Sequence, residues 1–574
     1  MATYIPYTPA NLITKALFNF DAFGGDNFKL AGLVNVSVSD SFTFAQLVAS
    51  FPALSEDIYT SLSSGNGNWT AAQLANVNLI TGTYSAFINL KFSPVLNRSG
   101  FTPEKVGSAS DINISLIYRR DASFAGVSAL ESDLDFGYAG SRGDIVLNTS
   151  GFGSHGLAND ASLDSSSYGF HTLMHEFGHS LGLSHPHSEI TLGVAKLTAD
   201  FSAITGVGFA KLGFRINSAL DMNKEYFSIM SYDDQAPTGG PDTFAQTPMI
   251  LDVIALQGAY GEGGGTSGAG NDVITPGGDG GVNSFRTYFD TGGTDTVNLA
   301  NYATGAFFNM GTTITDASHW VGVSMSTADA SGMATLGKDP ASLRWFYGEY
   351  ENATGSAAAD SIIGNALNNA IDGRGGNDTL DGGAGTDTAL YSGPRSNYAL
   401  AKTSTGFTLN DVTGAAGIDS LQNVERLKFS GGAIALDVGA NQPGGEAQLL
   451  LGAVLGKDLL ATKKPLIGTA IDLFDQGFTL QQLSGAVMRL DIWGALANGG
   501  QAGATNAQIA NYLLTTVNKA APDAATLAAA VTALNAETGA LQGNFLWHLA
   551  ESAANQVQVG LIGLAATGLE YGGA

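Results

Sequence analysis

The stretch HTLMHEFGHSLGLSHPH, residues 171–187, holds five of the eight histidines of a 574-residue chain. In and just before it, apolar side chains recur at spacings of three and four residues, namely Phe170, Leu173, Met174, Phe177 and Leu181. This periodicity is typical of a helix with one buried face. The histidines are therefore predicted to lie on an amphipathic helix.

The pattern HExxHxxGxxH runs through this stretch as His175, Glu176, His179, Gly182 and His185. Two histidines four residues apart project from one helix face, so both imidazoles can reach one ion. Gly182 lets the helix end and the chain reverse, which returns His185 as a third ligand. Three protein ligands leave one position open, as in a catalytic zinc site, and Glu176 is placed to hold the water there.

The alternative is a chance clustering of histidines. A pattern with this many fixed positions is expected by chance on the order of 10^-5 times in a chain of this composition. His171 and His187 fall outside the pattern and are predicted to be neighbours of the site or surface residues.

A second pattern, YFSIMSYDD at residues 226–234, follows downstream. The long histidine motif followed by a methionine turn resembles the metzincin zinc peptidases, and SIMSY resembles their serralysin branch. The resemblance implies that Met230 forms the turn beneath the zinc. It also implies that Tyr232 is a further zinc ligand, which can leave the metal and donate a hydrogen bond to a tetrahedral oxyanion. The implied reaction is peptide-bond hydrolysis, with Glu176 as the general base.

Segments upstream of the histidines add a helix and a strand. Residues 68–92 are predicted to contain a helix that begins with a capping box of Thr70 and Gln73. Residues 111–118, DINISLIY, alternate apolar and polar side chains and are predicted to form a strand with one buried face.

The segment FGYAGSRGDIVLN, residues 136–148, resembles the edge strand that pairs with an extended substrate in this family. The resemblance implies that Tyr138 and Ala139 contact the substrate.

Composition limits the partners and the kind of metal site. The formal net charge of −26 argues against nucleic acid as a partner and suggests either a solvated acidic surface or carboxylates that hold cations. Because the chain has no cysteine, any metal must be held by nitrogen and oxygen ligands. The N-terminus lacks the pattern of a secretory signal, and no apolar run approaches the ~20 residues that span a bilayer. This predicts either a cytoplasmic protein or export without an N-terminal signal.

Residues 355–393 repeat with a period of nine. Glycines stand at 355, 364, 373 and 382, an Asp or Asn follows five positions later, and an aliphatic residue seven positions later. The period resembles the RTX nonapeptide, which forms a parallel β-roll with calcium between each turn and the turn two repeats later. A flexible glycine linker is the alternative, but it does not explain the phased aliphatic residues. The implied calcium residues are Asp360, Asn369, Gly373, Gly376, Asp378, Gly382, Gly383, Gly385 and Asp387.

Two segments before the repeats resemble the non-repeat calcium sites of serralysins. They contribute Asp290, Gly292, Gly293, Asp295, Glu349 and Glu351. The Arg-Gly-Thr part of that site is not recognisable in this chain. After the repeats, residues 407–432 are predicted to form hairpin strands that close the roll.

Residues 445–574 are rich in Ala and Leu, with Gly, Asn and Pro between apolar stretches, and are predicted to form a small helical bundle. Recognition during secretion, attachment to the cell surface and binding of a partner are all open roles for this region.

The predicted fold class is an α+β metzincin catalytic domain, an all-β parallel β-roll and a small all-α C-terminal domain. The predicted domains are 1–261, with 1–30 as a candidate pro-segment, then 262–440 and 441–574. The resemblance implies zinc and calcium as cofactors, protein substrates, a type I secretion exporter as partner and an extracellular location.

The predicted function is that of a secreted zinc endopeptidase stabilised by calcium. One alternative is an RTX surface or adhesion protein that keeps a protease-like domain for binding. An RTX polysaccharide-modifying enzyme is more distant, because the zinc motif counts against it. The intact Glu176 favours the peptidase, since a binding module has no need of a general base beside a full set of metal ligands.

Overall fold

The fold is described from a computed structural model of the chain. It covers residues 3–6, 28–39, 69–97, 111–117, 126–128, 144–148, 163, 167–183, 185, 224–231, 244–277, 285–312, 318–328, 330–331, 340–414, 416–538, 541 and 543–572. The chain divides into two compact units, residues 1–352 and 353–574. This division falls inside the segment predicted to be the β-roll, and the predicted boundaries at 261 and 440 stay predictions.

A five-stranded sheet is the centre of the first part of unit 1. Its strand order is β6 (Leu96–Asn97), β4 (Val36–Ser39), β7 (Ile112–Ile117), β9 (Ile145–Asn148) and β8 (Gly126–Ser128). Its strands run parallel except β8, which is antiparallel to β9. The strands in this part are β1 (Thr3–Pro6), β2 (Phe28–Ala31), β3 (Leu33–Val34), β4 (Val36–Ser39), β5 (Lys91–Phe92), β6 (Leu96–Asn97), β7 (Ile112–Ile117), β8 (Gly126–Ser128) and β9 (Ile145–Asn148).

The strand predicted over 111–118 is confirmed as β7, in which Ile112 and Ile114 are fully buried. The edge strand predicted over 136–148 is wrong for the described part of that segment. Its residues Ile145–Asn148 form β9, which hydrogen-bonds β7 on one side and β8 on the other. On this side of the described sheet, the edge strand is instead β8, Gly126–Ser128. β9 follows β8 in the chain and lies between β7 and β8, which leaves β8 at the edge.

Among the described residues of this part of unit 1 there are three helices, α1 (Ala71–Phe87), α2 (Tyr168–Ser180) and α3 (Ile250–Tyr260). The predicted capping box of α1 is confirmed, since Thr70 accepts from the Gln73 backbone and the Gln73 side chain accepts from the Thr70 backbone. The Tyr84 hydroxyl on α1 donates to the carbonyl of Met174 on α2 over 2.7 Å. The helices therefore share one core, in which α2 also packs against β8 and β9.

The second part of unit 1 consists of short strands. They are β10 (Val273–Ile274), β11 (Phe285–Phe289), β12 (Thr296–Asn298), β13 (Ala306–Thr312), β14 (Val321–Ser326) and β15 (Leu343–Tyr347). β11 pairs in parallel with β15, and β14 lies between β15 and β13 in antiparallel pairing. Trp345 is fully buried and its indole donates to the Tyr226 carbonyl over 2.6 Å. These contacts attach the strands to the segment just before Met230.

Unit 2 begins with a parallel β-roll. Its strands are β16 (Asn352–Thr354, which spans the division between units), β17 (Ser361–Ile363), β18 (Ala370–Asp372), β19 (Thr379–Asp381), β20 (Thr388–Leu390), β21 (Tyr398–Lys402), β22 (Phe407–Asp411), β23 (Ile418–Gln422), β24 (Arg426–Phe429) and β25 (Gly432–Ala435). Strands two repeats apart pair in parallel, β17 with β19 and β18 with β20. The phased aliphatic residues at 362, 371, 380 and 389 are the buried centres of these strands.

Residues 407–432 extend the roll rather than only closing it. β23 pairs in parallel with β19, and β24 pairs in parallel with β20. The predicted hairpins are also present, because β22 pairs antiparallel with β21 and β23, and β25 with β24.

The C-terminal region is helical, as predicted from its composition. Its helices are α4 (Pro443–Leu460), α5 (Lys464–Asp475), α6 (Leu480–Met488), α7 (Trp493–Ala497), α8 (Asn506–Asn518), α9 (Ala524–Ala536), α10 (Asn544–Glu551), α11 (Ala553–Val559) and α12 (Leu561–Thr567). The region ends in a strand, β26 (Leu569–Tyr571), which pairs antiparallel with β25. In the described part of the chain, no helix combines the length and hydrophobicity needed to cross a membrane.

Candidate metal centre and carboxylate ladders

The histidine motif occupies helix α2 and the bend after it. Ser167 caps the helix by accepting from the Phe170 backbone over 3.1 Å. The helix ends at Ser180, and Gly182 follows with a φ of 105°, a left-handed conformation that glycine adopts without strain. The chain then turns back, so that His185 lies beside the helix.

The three motif histidines converge on one point. The Nε2 atoms lie 3.1 Å apart for His175 and His179, 3.0 Å for His175 and His185, and 3.2 Å for His179 and His185. A tetrahedral ion bound at ~2.0–2.1 Å would separate its nitrogen ligands by about 3.3–3.4 Å. The triad is therefore close to the spacing that zinc requires.

Backbone carbonyls orient two of the rings. His175 Nδ1 lies 2.8 Å from the Ile229 carbonyl, and His179 Nδ1 lies 2.7 Å from the Leu183 carbonyl. Because a carbonyl oxygen only accepts, each Nδ1 carries the hydrogen and each Nε2 keeps its lone pair. Burial, followed by the neighbouring histidines, holds the pKa of His175 well below its usual value. The neutral ring is the form that binds a metal.

Glu176 and Met230 lie in the same core as the triad. Glu176 is buried on α2, next to His175 in sequence. Met230 is fully buried, and its sulfur lies so close to α2 that a Cβ atom built on Gly178 would be 2.6 Å from it. The sequence pattern gave Gly178 no role, yet a side chain at this position would have to displace the methionine sulfur.

Three predicted site residues lie outside the described residues. They are Tyr232, the implied fourth zinc ligand, and Tyr138 and Ala139, the implied substrate contacts. His171, which the motif left unassigned, is buried, and its Nδ1 lies 3.4 Å from Glu225 Oε1.

A cluster of carboxylates lies in the second part of unit 1. One oxygen each of Asp272, Asp290 and Asp295 lies within 4.8 Å of the others. Asp295 Oδ1 accepts from the Asp272 backbone over 2.7 Å, and Glu351 Oε2 accepts from the Asp295 backbone over 2.7 Å. Glu349 is exposed and is not part of this group of described carboxylates.

The predicted glycines of this cluster form its turn. Gly292 donates its backbone N–H to Asp290 Oδ2 over 2.7 Å. Gly293 has a φ of 140°, and a Cβ atom on it would lie 2.0 Å from the Gly270 carbonyl. The turn therefore passes directly against the preceding coil.

The same hydrogen-bond pattern recurs twice in unit 2. In each case the residue just before a strand donates its backbone N–H to a carboxylate at the next paired strand. That carboxylate lies just before its strand, except for Asp419, which is the second residue of β23. One series runs from Asp360 to Asp378 (2.9 Å) to Asp419 (3.0 Å). The other runs from Asn369 to Asp387 (2.7 Å) to Glu425 (2.9 Å). We refer to these two series as the carboxylate ladders of unit 2.

The ladders leave carboxylate oxygens without a partner. Asp378 and Asp387 each use Oδ1 in the ladder, while each Oδ2 is buried and accepts no hydrogen bond within the described residues. Burial, together with neighbouring carboxylates, raises the pKa of Asp378 to about 8 and the pKa of Asp387 to about 7. Asp295 Oδ2 is in the same situation, and burial raises the pKa of Asp295 to about 6. Buried, unpaired oxygens of this kind fit a hard divalent cation such as calcium.

The predicted glycines of the repeats provide the space between coils. Gly376, Gly383 and Gly385 have φ angles of 127°, 95° and 132°. A Cβ atom on Gly373 would lie 2.4 Å from Asp378 Oδ2, and one on Gly382 would lie 2.1 Å from the Asn423 carbonyl. A larger residue at Gly382 would have to push the neighbouring turn away, and one at Gly373 would have to displace the Asp378 carboxylate.

Three carboxylates were missed by sequence interpretation: Asp272 of the cluster in unit 1, and Asp419 and Glu425 of the ladders. A signal for them exists, because each precedes an aliphatic residue by two positions, as Asp378 precedes Leu380. The missed pairs are Asp272 with Ile274, Asp419 with Leu421 and Glu425 with Leu427. Interruption of the nine-residue period by a hairpin concealed the last two.

Comparison with known proteins supports the resemblance to serralysins. The chain is 28% identical to Serralysin B of Dickeya chrysanthemi over 152 residues, which is 24% of this chain and 27% of that protein. It is 26% identical to Serralysin of Proteus mirabilis over 234 residues, which is 38% of this chain and 42% of that protein. The chain therefore spans less than half the length of either curated relative in these matches. No family model matches the sequence.

Proposed function

We propose that this protein, which is similar to serralysins, is a zinc-dependent endopeptidase that hydrolyses peptide bonds in proteins. The observation that carries the proposal is the convergence of His175, His179 and His185 Nε2 atoms at separations of 3.0–3.2 Å in a buried site. The similarity to two serralysins supports the same chemistry.

The residues proposed to hold zinc are His175, His179, His185 and, by resemblance, Tyr232. Zinc in such a site lowers the pKa of a bound water to about 7 and polarises the scissile carbonyl. The hydrogen bonds from His175 and His179 to backbone carbonyls keep the two rings aimed at one point.

Glu176 is the proposed general base. Its carboxylate takes a proton from the attacking water and passes it to the nitrogen of the departing amine, so that no charge is left on the leaving group. Glu176 is buried on α2, and this burial limits the movement of its carboxylate during both transfers. Tyr232 is the proposed donor to the oxyanion of the substrate.

Strand β8 is the proposed docking edge for the substrate backbone. It is the last strand in the order of its sheet, it runs antiparallel to its neighbour, and it packs against α2. An extended peptide can add to such an edge by backbone hydrogen bonds, which gives affinity without strong dependence on sequence. This proposal replaces residues 136–148 with 126–128 as the edge. Tyr138 and Ala139 stay proposed contacts in the segment between β8 and β9.

Calcium is the proposed second cofactor. The carboxylate ladders and the cluster of Asp272, Asp290 and Asp295 would hold it, and Glu351 is proposed to assist at that cluster. Glu349 stays a proposed ligand on the resemblance alone. Cation binding would neutralise the buried charges and so order the coils. The proposed domains remain a metzincin domain over 1–261, a β-roll over 262–440 and a helical region over 441–574.

The function is tested with purified wild type, Glu176→Ala and the control Glu551→Ala, in which an exposed carboxylate of α10 is removed. We expect wild type and Glu551→Ala to hydrolyse casein, and Glu176→Ala to lose about 10^2-fold or more of the rate while zinc content is unchanged. Zinc and calcium are measured by elemental analysis in all three proteins. Wild type that binds zinc but is as inert as Glu176→Ala would favour the surface or adhesion protein instead.

We also propose that the protein acts outside the cell after export by a type I secretion system. The carboxylate ladders support this proposal. Coils that need calcium to fold would be ordered at the millimolar calcium outside the cell and unfolded at the micromolar calcium of the cytosol. The helical region is proposed to serve recognition by the exporter or attachment to the cell surface. Immunodetection in culture medium, on intact cells and in lysate separates these locations.

A further inference from the structure

The turn that carries Met230 has no exposed surface of its own. Ser228, Ile229 and Met230 are each fully buried beneath α2. A buried turn must have its backbone groups satisfied by the protein, because water cannot reach them. The partners of these groups therefore decide where the turn lies.

Asp252, in the first turn of α3, provides one of those partners directly and a second through Ser228. Its Oδ2 accepts from the Ile229 backbone over 2.7 Å and from the Met249 backbone over 2.9 Å. Its Oδ1 accepts from the Ser228 hydroxyl over 2.6 Å, and that hydroxyl in turn accepts from the Met230 backbone over 3.1 Å. Asp252 thus holds two successive backbone N–H groups of the turn, one directly and one through Ser228.

The other side of the same turn contacts the metal site. The Ile229 carbonyl accepts from His175 Nδ1 over 2.8 Å. The Ile229 N–H therefore donates to Asp252, and the Ile229 carbonyl accepts from His175. The path from the Asp252 carboxylate to the imidazole contains one residue and two hydrogen bonds, both shorter than 3 Å.

We infer that Asp252 is a positioning residue for the metal site, which acts through Ile229 to fix the ring angle and tautomer of His175. The inference rests on the proposed function, because it assumes that the three histidines bind zinc. Asp252 touches neither substrate nor metal in this role. Its effect is carried by the turn that it holds.

The location of Asp252 suits this role. A carboxylate in the first turn of a helix interacts favourably with the helix dipole, so α3 offers a fixed anchor for it. Asp252 is fully buried, and removing its oxygens would leave the Ile229, Met249 and Ser228 donors without acceptors. Partners that orient a metal-bound imidazole typically change metal affinity by 10- to 100-fold when they are lost.

The test compares four variants by zinc affinity, measured by competition with a chelating dye, and by the visible spectrum of the Co²⁺-substituted protein. We expect Asp252→Ala to lower zinc affinity about 10-fold or more and to alter the Co²⁺ bands. We expect Asp252→Asn to restore affinity to within about 3-fold of wild type, because the amide oxygen can still accept from Ile229 and Met249. Ser228→Ala removes only the bridge to Met230, so its zinc affinity should lie between those of Asp252→Ala and Asp252→Asn. It replaces Asp252→Ala in the test if that variant does not fold.

The control is Asp144→Ala. Asp144 is also buried and accepts a backbone N–H over 2.7 Å, but its partner, Asn113, lies on β7 of the five-stranded sheet. It should lower the melting temperature and leave zinc affinity unchanged. Wild-type affinity in both Asp252→Ala and Ser228→Ala, or an equal loss in Asp144→Ala, would overturn the inference.

The same measurements distinguish failure of the proposed peptidase function from failure of the positioning role. A wild type that binds zinc and shows these affinity differences but hydrolyses no protein would contradict the peptidase function and leave the positioning role intact. A wild type that binds no zinc would overturn both.

Discussion

Gly178 shows, at the scale of single residues, how tightly the proposed zinc site is packed. It stands between His175 and His179 on the helix, and the Met230 sulfur occupies the space that a side chain would need. The glycine thus allows the turn below to reach the histidine helix. Its role is steric, since it lies inside α2 and adds nothing to helix stability.

We predict that Gly178→Ala destabilises the protein by up to about 2 kcal/mol and weakens zinc binding. The new methyl group would have to displace Met230, and overpacking of a core typically costs about 1–3 kcal/mol, which exceeds the gain of about 1 kcal/mol in helix propensity. Thermal unfolding and zinc competition measure the two effects.

Gly82→Ala is the matched control for this substitution. Gly82 is an exposed residue of α1, and no atom lies within 4 Å of the position that a methyl group would take there. Alanine at this position should therefore stabilise the protein by about 0.5–1 kcal/mol. Equal stabilisation by both substitutions would contradict the steric role of Gly178.

At the scale of elements, the β-roll is held together by carboxylates that receive backbone N–H groups from the preceding coil. Each contact joins a turn to the turn two repeats later, as for Asp360 and Asp378. One oxygen of the carboxylate is used in this way, and the other is free for a cation in Asp378 and Asp387. The ladder and the proposed calcium sites therefore use the same side chains.

We predict that Asp378→Asn has opposite effects with and without calcium. In a chelator at a pH above about 8, where Asp378 is ionised, the substitution removes a buried charge that faces Asp419, Asp360 and Asp372, so the melting temperature should rise. At millimolar calcium the variant should be less stable than wild type, because a ligand is lost. At a hundredfold excess of calcium over the dissociation constant, one site contributes about 2.7 kcal/mol. Asp458→Asn, an exposed substitution in α4, should change neither value.

We predict that stability in a chelator falls as pH rises from about 5 to about 8. Burial raises the pKa of Asp378 from 3.8 to about 8 and the pKa of Asp387 from 3.8 to about 7. A carboxyl whose pKa is higher in the folded chain stabilises the fold while it is protonated, and this contribution is lost as pH passes the folded pKa. Chemical unfolding at several pH values measures the trend.

Calcium should abolish this fall in stability, because the bound cation compensates the ionised carboxylates. The double variant Asp378→Asn/Asp387→Asn should show a flatter profile than wild type in the chelator. A wild-type profile that rises with pH in the chelator would contradict the pKa directions on which the prediction rests.

At the scale of the whole molecule, the roll and the C-terminal helices lie in the same compact unit, unit 2. Strand β26, at residues 569–571, pairs with β25 of the roll, with Ala435 opposite Leu569. Both residues belong to the core formed by the helices. Arg426 on β24 is nearly buried and forms ion pairs with Asp437 and with Asp475 of α5.

We predict that a chain ending before Leu569 loses about 2 kcal/mol or more from unit 2. It would lose the burial of Leu569, worth about 1.5–3 kcal/mol, the ion pair of Glu570 with Lys464, and the strand that covers β25. Hydrogen exchange of residues 432–435 and thermal unfolding at millimolar calcium measure the effect.

A chain ending at Gly572 keeps β26 and is the control for this truncation. It should match the full chain in both measurements. Unchanged protection of residues 432–435 in the shorter chain would show that β26 is dispensable.

Much of this protein follows from local sequence pattern. The histidine spacing on a helix, the capping box of Thr70 and Gln73, the strand over 112–117 and the nine-residue coil with its buried aliphatic residues were all predicted and lie where expected. These features depend on repeats of 3.6, two or nine residues, which a single segment carries by itself.

The tertiary structure decided the contacts between distant segments. It placed the edge strand at 126–128, brought Asp252 to a turn 23 residues earlier, and set Asp419 and Glu425 on the ladders after an intervening hairpin. It also turned residues 569–571 from a predicted helical tail into the last strand of the sheet. A periodic sequence pattern determines which face of a helix or strand a residue lies on. The residue that it contacts on that face depends on how distant segments of the chain are brought together, and no local pattern contains that information.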